Sequence, residues 1–372
     1  MAAKFSVFAK RFFLFLNILA AIIFLLSAFA PYLNPSQWWF ISLLGLGFAF
    51  ICLIQLLFII FWLIFKPRYA LISFIVLLIG WKSISVFFAF HSWERFNYHK
   101  PKTTLRVVHW NVARFVEWSR NNNAGSQTRL KMMQQLKEQN ADVLCLSEFF
   151  HSTNPIYYDN LNHVMNKLGF PFYYYSWDDD GGDQWVGQAI FSKTPIIDSG
   201  MIRYPKPGMP EALIHADIVF NKDTIRFYTT HLQSVRFRKT DYESIEKIKN
   251  RDDSLLENSK NIFSKLKTGL IYRSKQADIV KQQTKSSLHP YIITGDLNDV
   301  PNSYTYFTIK QGLQDVFLKK GFGIGRTYSY LSPTLRIDYI LATNDFEVQQ
   351  YKRIVKKYSD HYMLVADLKL RN

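Results

Sequence analysis

The chain has 372 residues and a formal net charge of +16. Its 48% hydrophobic and 17% aromatic content excludes intrinsic disorder. All 29 acidic residues lie at or beyond Glu94, whereas residues 1–93 hold only six basic ones: Lys4, Lys10, Arg11, Lys66, Arg68 and Lys82. The charge therefore divides as +6 before residue 94 and +10 after it, 39 basic against 29 acidic, and a wholly soluble protein is excluded as well. Cys52 and Cys145 are the only cysteines and both sit in apolar runs, so this is no disulfide scaffold.

Three apolar stretches open the chain, at 12–30, 38–65 and 69–90. Crossing hydrocarbon takes about 20 apolar residues as helix, so residues 1–90 are expected to be a membrane anchor of about three transmembrane helices. Trp38, Trp39 and Trp62 lie near the ends of the second stretch, where indoles favour the interface. Lys4, Lys10 and Arg11 precede the first stretch, and Lys66 and Arg68 separate the second from the third. Positive short loops stay in the cytoplasm. Three crossings would then make this a multi-pass inner-membrane protein with everything beyond residue 91 on the extracytoplasmic side. Lys82, well inside the third stretch, is the point on which that count turns. If this segment does not span, the large domain lies in the cytoplasm.

Residues 91–102 read as a short polar linker, and residues 103–372 as a catalytic domain. Strands are expected at 105–110, 143–146, 188–192, 213–220, 225–230, 291–294, 337–342 and 362–370. Arg129–Gln139 and much of Asp241–Ser286 read as helix. This pattern implies one α/β domain of sheets faced by helices. Polar residues gather where the strands stop: Asn111, Glu148, His231, Asp296, Asn298, Asp338, Asp360 and His361. In a layered sheet most of them can meet at one rim. Carboxylates and carboxamides there suit a hard divalent cation such as Mg²⁺ or Ca²⁺, and an imidazole backed by a carboxylate can move protons near neutral pH. No Gly-x-Ser-x-Gly, P-loop or closely spaced Cys/His zinc pattern occurs. Metal-assisted attack of water on phosphorus is the chemistry these residues support best.

In this order and strand context the residues resemble the endonuclease/exonuclease/phosphatase superfamily, the deoxyribonuclease/sphingomyelinase-like fold. The resemblance covers 103–372. It rests on His109-Trp-Asn111-Val, Asp142-Val-Leu-Cys-Leu-Ser-Glu148, Gly187-Gln-Ala, Thr230-His231-Leu, Gly295-Asp296-Leu-Asn298-Asp, Arg336-Ile-Asp338-Tyr-Ile and Ser359-Asp360-His361. It implies a four-layer α/β/β/α sandwich of two packed, mainly antiparallel sheets. It implies a metal, Mg²⁺ with Mn²⁺ and Ca²⁺ as alternatives, held by Glu148 with Asn111 and Asp360. Asp296 would activate water with the Asp338–His361 pair, Asn298 would orient the phosphate, and His231 would protonate the leaving oxygen. Glu211 is the candidate carboxylate partner of His231. Gln188 stands where the family usually has Asn and receives no role.

Other features read as structural. His109, His151, His163, His215 and His289 match no functional position of these motifs. The aromatic run 170–177 is assigned to packing, and the acidic 178–183 stretch, lacking EF-hand spacing, to a solvated turn. The long basic segment 236–275 reads either as solvated helices or as a cover that attracts polyanions. The expected partners are a lipid bilayer and an anionic phosphodiester substrate, either nucleic acid or phospholipid. A nuclease-like, membrane-anchored phosphoesterase is the leading expectation, and a phospholipid or sphingolipid head-group phosphodiesterase or phosphatase is its rival.

Overall fold

The computed structural model describes residues 7–91, 95–117, 119, 127–205, 211–235, 237, 241 and 255–371. Arg236, Arg238, Lys239, Lys247, Lys249 and Arg251 of the basic segment, and part of the 91–102 linker, lie outside the described residues. The chain forms two compact units. One comprises 1–88 together with 234–275 and 300–308, and the other comprises 89–233, 276–299 and 309–372.

The first unit is helical: α1 (Val7–Phe29), α2 (Pro35–Leu46), α3 (Phe48–Phe65) and α4 (Ala70–Ile79). Asn34 caps α2 by accepting the Ser36 N–H at 2.9 Å, and Pro35 occupies the first turn, where its missing N–H costs nothing. Two helical stretches, Val7–Tyr32 and Phe48–Phe65, are long and apolar enough to cross a membrane. At 1.5 Å per residue the 18 residues of α3 reach about 27 Å, close to the roughly 30 Å of a hydrocarbon core.

The third expected span is not one helix. α4 has 10 residues, about 15 Å, and stops at Gly80. There a Cβ would lie 2.5 Å from the Phe24 ring. Lys82 lies beyond this break, exposed, with its ammonium 5.4 Å from the Tyr32 ring centroid. The second expected span is likewise divided at Gly47 into α2 and α3. Two crossings return a chain to the side it started from, so the three-span argument for an extracytoplasmic domain loses its basis.

Buried polar contacts tie this unit together. Ser73 donates to Asn17 Oδ1 at 2.8 Å and Ser83 to the Ala28 carbonyl at 2.7 Å. The later segments join the same unit through Asn302, whose Nδ2 donates to the Ser27 carbonyl at 2.8 Å, and through Lys267, 4.8 Å above the Trp39 ring.

The second unit holds two six-stranded sheets. The strands of these two sheets in chain order are β1 (Leu105–Asn111), β2 (Val143–Ser152), β3 (Phe172–Tyr175), β4 (Gln184–Ser192), β5 (Ile196–Arg203), β6 (Ala212–Phe220), β7 (Asp223–His231), β8 (Tyr291–Asp296), β9 (Gln314–Asp315), β10 (Asp338–Ala342), β11 (Phe346–Ile354) and β12 (Met363–Leu370); a separate short ribbon pairs Ala89–Phe90 with Phe322–Gly323. One sheet runs β11-β12-β1-β2-β4-β3 and the other β9-β10-β8-β7-β6-β5. Each has a parallel pair near its middle, β1 with β2 and β7 with β8, and the remaining pairs are antiparallel.

Inward residues of both sheets, among them Leu105, Val107, Val143, Ile190, Ile214, Phe227, Ile292 and Leu364, form the central core. Val108, Trp110, Leu144 and Val365 face the other way, onto α5 (Thr128–Glu138) through Met132, Met133 and Leu136. The aromatic run belongs to this outer core through Phe170, Tyr173 and Tyr175. Two acids of the 178–183 stretch are paired, Asp178 with Arg203 and Asp180 with Arg114.

Candidate active site

The two parallel pairs bring strand ends to one rim. Asn111 ends β1 opposite Ser147, and His231 ends β7 opposite Asp296, the last residue of β8. β10 runs antiparallel to β8 and starts at Asp338, opposite Asp296. His231, Asp296 and Asp338 thus sit on three neighbouring strands at a single level. Glu148 arrives differently. A register shift between Leu146 and Phe149 puts it in the left-handed region, at φ 51°. Such a bulge re-aims a side chain that a regular strand would direct elsewhere. Ser147 stays buried beside it and donates to Gln188 Oε1 at 2.9 Å.

Asp296 is the hub. Its Oδ2 accepts from Asn111 Nδ2 at 3.1 Å and lies 3.5 Å from His231 Nε2 and 3.6 Å from His361 Nε2. Asn111 Nδ2 also donates to Glu148 Oε1 at 3.1 Å, and His231 Nε2 lies 3.9 Å from the same oxygen. Behind His361, its Nδ1 meets Asp338 Oδ2 at 2.8 Å. Asn298 donates its backbone N–H to Asp296 Oδ1 at 2.8 Å, while its side-chain amide donates to the Leu232 carbonyl at 3.0 Å. Asp360 accepts from its neighbour Ser359 at 3.2 Å. Ser359 in turn donates to the Asn111 carbonyl at 2.8 Å, which ties this turn to β1. Glu211 is buried and accepts from Gln276 Nε2 at 3.3 Å; its charge is felt at His231.

Electrostatics separates the members. Burial raises Asp296 above the usual carboxylate range, with His361 and His231 pulling it back and Asp338 pushing it further up. Burial would raise Asp338 too, but the charge of His361 and the hydrogen bonds from His109 and His361 prevail and hold it well below that range. For His361, burial opposes protonation, yet Asp338 and Asp296 outweigh it and raise the imidazole well above its ordinary value. His231 is raised in the same sense, with burial overcome by Asp296, Glu211 and Glu148. Two carboxylates pushed apart and two imidazoles shifted toward their protonated form make a proton-handling set.

The donor set also fits a hard cation. Asp296, Asp338 and His361 bring one ligand atom each within 4.8 Å of one another, but Asp338 already spends both oxygens on imidazoles. Glu148 is the better entry point, because its side chain is 35% exposed whereas that of Asp296 is 1% exposed. A carboxylate oxygen exposed in this way is the kind of donor that hard cations prefer.

His109 is the residue that motif reasoning passed over. It is fully buried and its Nε2 lies 3.3 Å from Asp338 Oδ1. The signal was present in strand periodicity. Side chains two apart share a face, so His109 points the same way as Asn111.

A profile of the endonuclease/exonuclease/phosphatase family matches residues 108–361, more than half of the chain. The chain belongs to this family, whose members are hydrolases acting on phosphoester bonds. A domain of unknown function matches residues 10–87. A search of curated proteins finds no significant match. Among solved structures the chain is similar to an endonuclease/exonuclease/phosphatase from Beutenbergia cavernae, with 19% identity, a TM-score of 0.51 and 72% of each chain covered. It is also similar to one from Bacteroides vulgatus, with 17% identity, a TM-score of 0.51, and 72% of this chain and 99% of that one covered. At such identities the likeness is one of fold, and it agrees with the two packed sheets described above.

Proposed function

We propose that the protein is a membrane-anchored, divalent-metal-dependent phosphodiesterase with nuclease-like chemistry. The observation that carries this reading is Asp296, a buried carboxylate held between His231 and His361 and joined to Glu148 through the Asn111 amide. Glu148, Asn111 and Asp360 would hold the metal, Mg²⁺ in the first instance. When bound, such an ion polarises a phosphoryl oxygen. Asp296 orients water and takes its proton, while His361, backed by Asp338, holds that carboxylate in place. His231, whose proton affinity the surrounding acids raise, donates to the leaving oxygen. Asn298 would orient the phosphate.

A phospholipid or sphingolipid head-group hydrolase is the second reading, and the two long apolar helices favour it. Both readings share the same residues and differ in substrate. The test is hydrolysis by the full chain in detergent with Mg²⁺. Plasmid DNA, RNA, lysophospholipid, sphingomyelin and bis-p-nitrophenyl phosphate would be offered in parallel. Glu148→Gln is expected to lower turnover of the accepted substrate by at least about 100-fold, since a lost metal interaction is worth several kcal/mol, with the thermal midpoint retained. Undiminished turnover by this variant, or wild-type turnover insensitive to chelation, would remove Glu148 and the metal from the mechanism.

A further inference from the structure

Asp338 offers two oxygens and each meets a different imidazole. Oδ2 receives His361 Nδ1 at 2.8 Å, and Oδ1 faces His109 Nε2 at 3.3 Å. Both carboxylate and His109 side chains are completely shielded from solvent. The other ring nitrogen of His109, Nδ1, is buried and has no hydrogen-bond partner among the described residues. A carboxylate can only accept, so His109 Nε2 must donate to it. The unmatched Nδ1 is then least costly as a bare lone pair. The Asp338 backbone is fixed as well, since its N–H and that of Ile337 both donate to Thr327 Oγ1, at 3.0 and 2.9 Å.

We propose that His109 is a positioning residue for the Asp338–His361 pair. A carboxylate gripped at one oxygen can swing about its terminal bond and exchange the oxygen it presents. Gripped at both, it has one plane. His361 is then confined to one ring orientation, Nδ1 on Asp338 and Nε2 toward Asp296 at 3.6 Å. A line of groups results, His109–Asp338–His361–Asp296, in which the first member never approaches the substrate. Side chains standing behind such a catalytic pair typically matter by about 10–100-fold. β1 supplies both ends of the arrangement, since Asn111 contacts Asp296 from the front while His109 steadies Asp338 from behind.

The kinetic part of this inference rests on the phosphoesterase reading, and the geometric part does not. The experiment therefore has two arms, both on the full chain in detergent. In the first, His109→Leu removes the donor, and His109→Gln returns an amide N–H at similar reach. His109→Leu is expected to lower kcat by about 10–100-fold with KM unchanged, and His109→Gln to recover most of the loss. A loss in KM instead, an unchanged kcat in His109→Leu, or equal losses in both variants would overturn the proposal. A purely structural histidine would move the thermal midpoint and leave the kcat-to-KM split flat.

In the second arm, the ring ¹⁵N signals of His361 are compared after histidine labelling, and no substrate is needed. The wild type and His109→Gln are expected to show one shared set of signals, and His109→Leu a shifted or doubled set. Identical signals in all three would overturn the proposal even if no phosphoester is hydrolysed, in which case the functional reading alone has failed. Should His109→Leu not fold, His109→Asn, polar but too short to reach Asp338, takes its place with the same expected outcomes.

Discussion

Arg106 shows how much order one side chain can impose beneath the site. It lies on β1 and is fully buried. Its Nε and Nη2 hold Asp367 across the sheet at 2.7 and 2.8 Å, while its remaining donors reach the carbonyls of Asn97, Tyr98 and Gln139 at 2.9–3.0 Å. Arg106→Met strands the Asp367 charge in the interior and is expected to cost about 3–5 kcal/mol, read as a lowered denaturation midpoint. Adding Asp367→Leu should recover part of that loss, because a buried pair removed whole costs less than half a pair left behind.

At this scale the sequence was most informative where side-chain chemistry accompanied a strand end. Asn111, Glu148, His231, Asp296, Asp338 and His361 do converge. His109 escaped because motif order assigns roles one position at a time, whereas its role depends on Asp338, 229 residues away. Glu148 was legible as a residue but not as a geometry, since a bulge leaves no compositional trace.

Strands divide by their place in the sheets. The eight found from apolar runs are the interior strands β1, β2, β4, β6, β7, β8, β10 and β12. Within the two six-stranded sheets, the strands that went unseen are the four edges, β3, β5, β9 and β11. An interior strand is covered on both faces and reads as a continuous apolar run. An edge strand carries polar residues that discourage further pairing, as in Ile196–Arg203, where most positions are partly or fully exposed.

Helices erred in the opposite direction, because apolar content alone joined α2 to α3 and carried α4 past its end. Gly45 on α2 supplies a test of helix packing. A Cβ there would lie 2.6 Å from the Asn302 carbonyl oxygen, and that atom belongs to backbone that cannot step aside as a flexible side chain would. Gly45→Leu is expected to lower the thermal midpoint of the full chain. Gly47→Leu, whose Cβ would come no nearer than 3.8 Å to any neighbour, should cost less. Equal midpoints for the two would mean that α2 and the 300–308 segment do not pack so closely.

For the whole molecule, the charge boundary near residue 94 suggested an anchor followed by a self-contained catalytic domain. The compact units divide the chain otherwise, since 234–275 and 300–308 join the helices of 1–88. A fragment of residues 103–372 keeps those two segments and loses their partners. Asn302 loses the Ser27 carbonyl, Phe307 the Tyr32 ring at 5.6 Å and Lys267 the Trp39 ring. The fragment is expected to unfold at lower temperature than the full chain. A fragment as stable as the full chain would show that these contacts contribute little.

This interleaving also sets a timetable for synthesis. The apolar helices leave the ribosome before the later segments of their own unit, which is complete only when residue 308 has been added. At about 5–20 residues per second the intervening stretch takes some tens of seconds. Throughout that interval Ser27, Trp39 and Gly45 wait for partners that have not yet been translated. The nascent helices must therefore be sheltered by something other than their final neighbours until the 300–308 segment has been made.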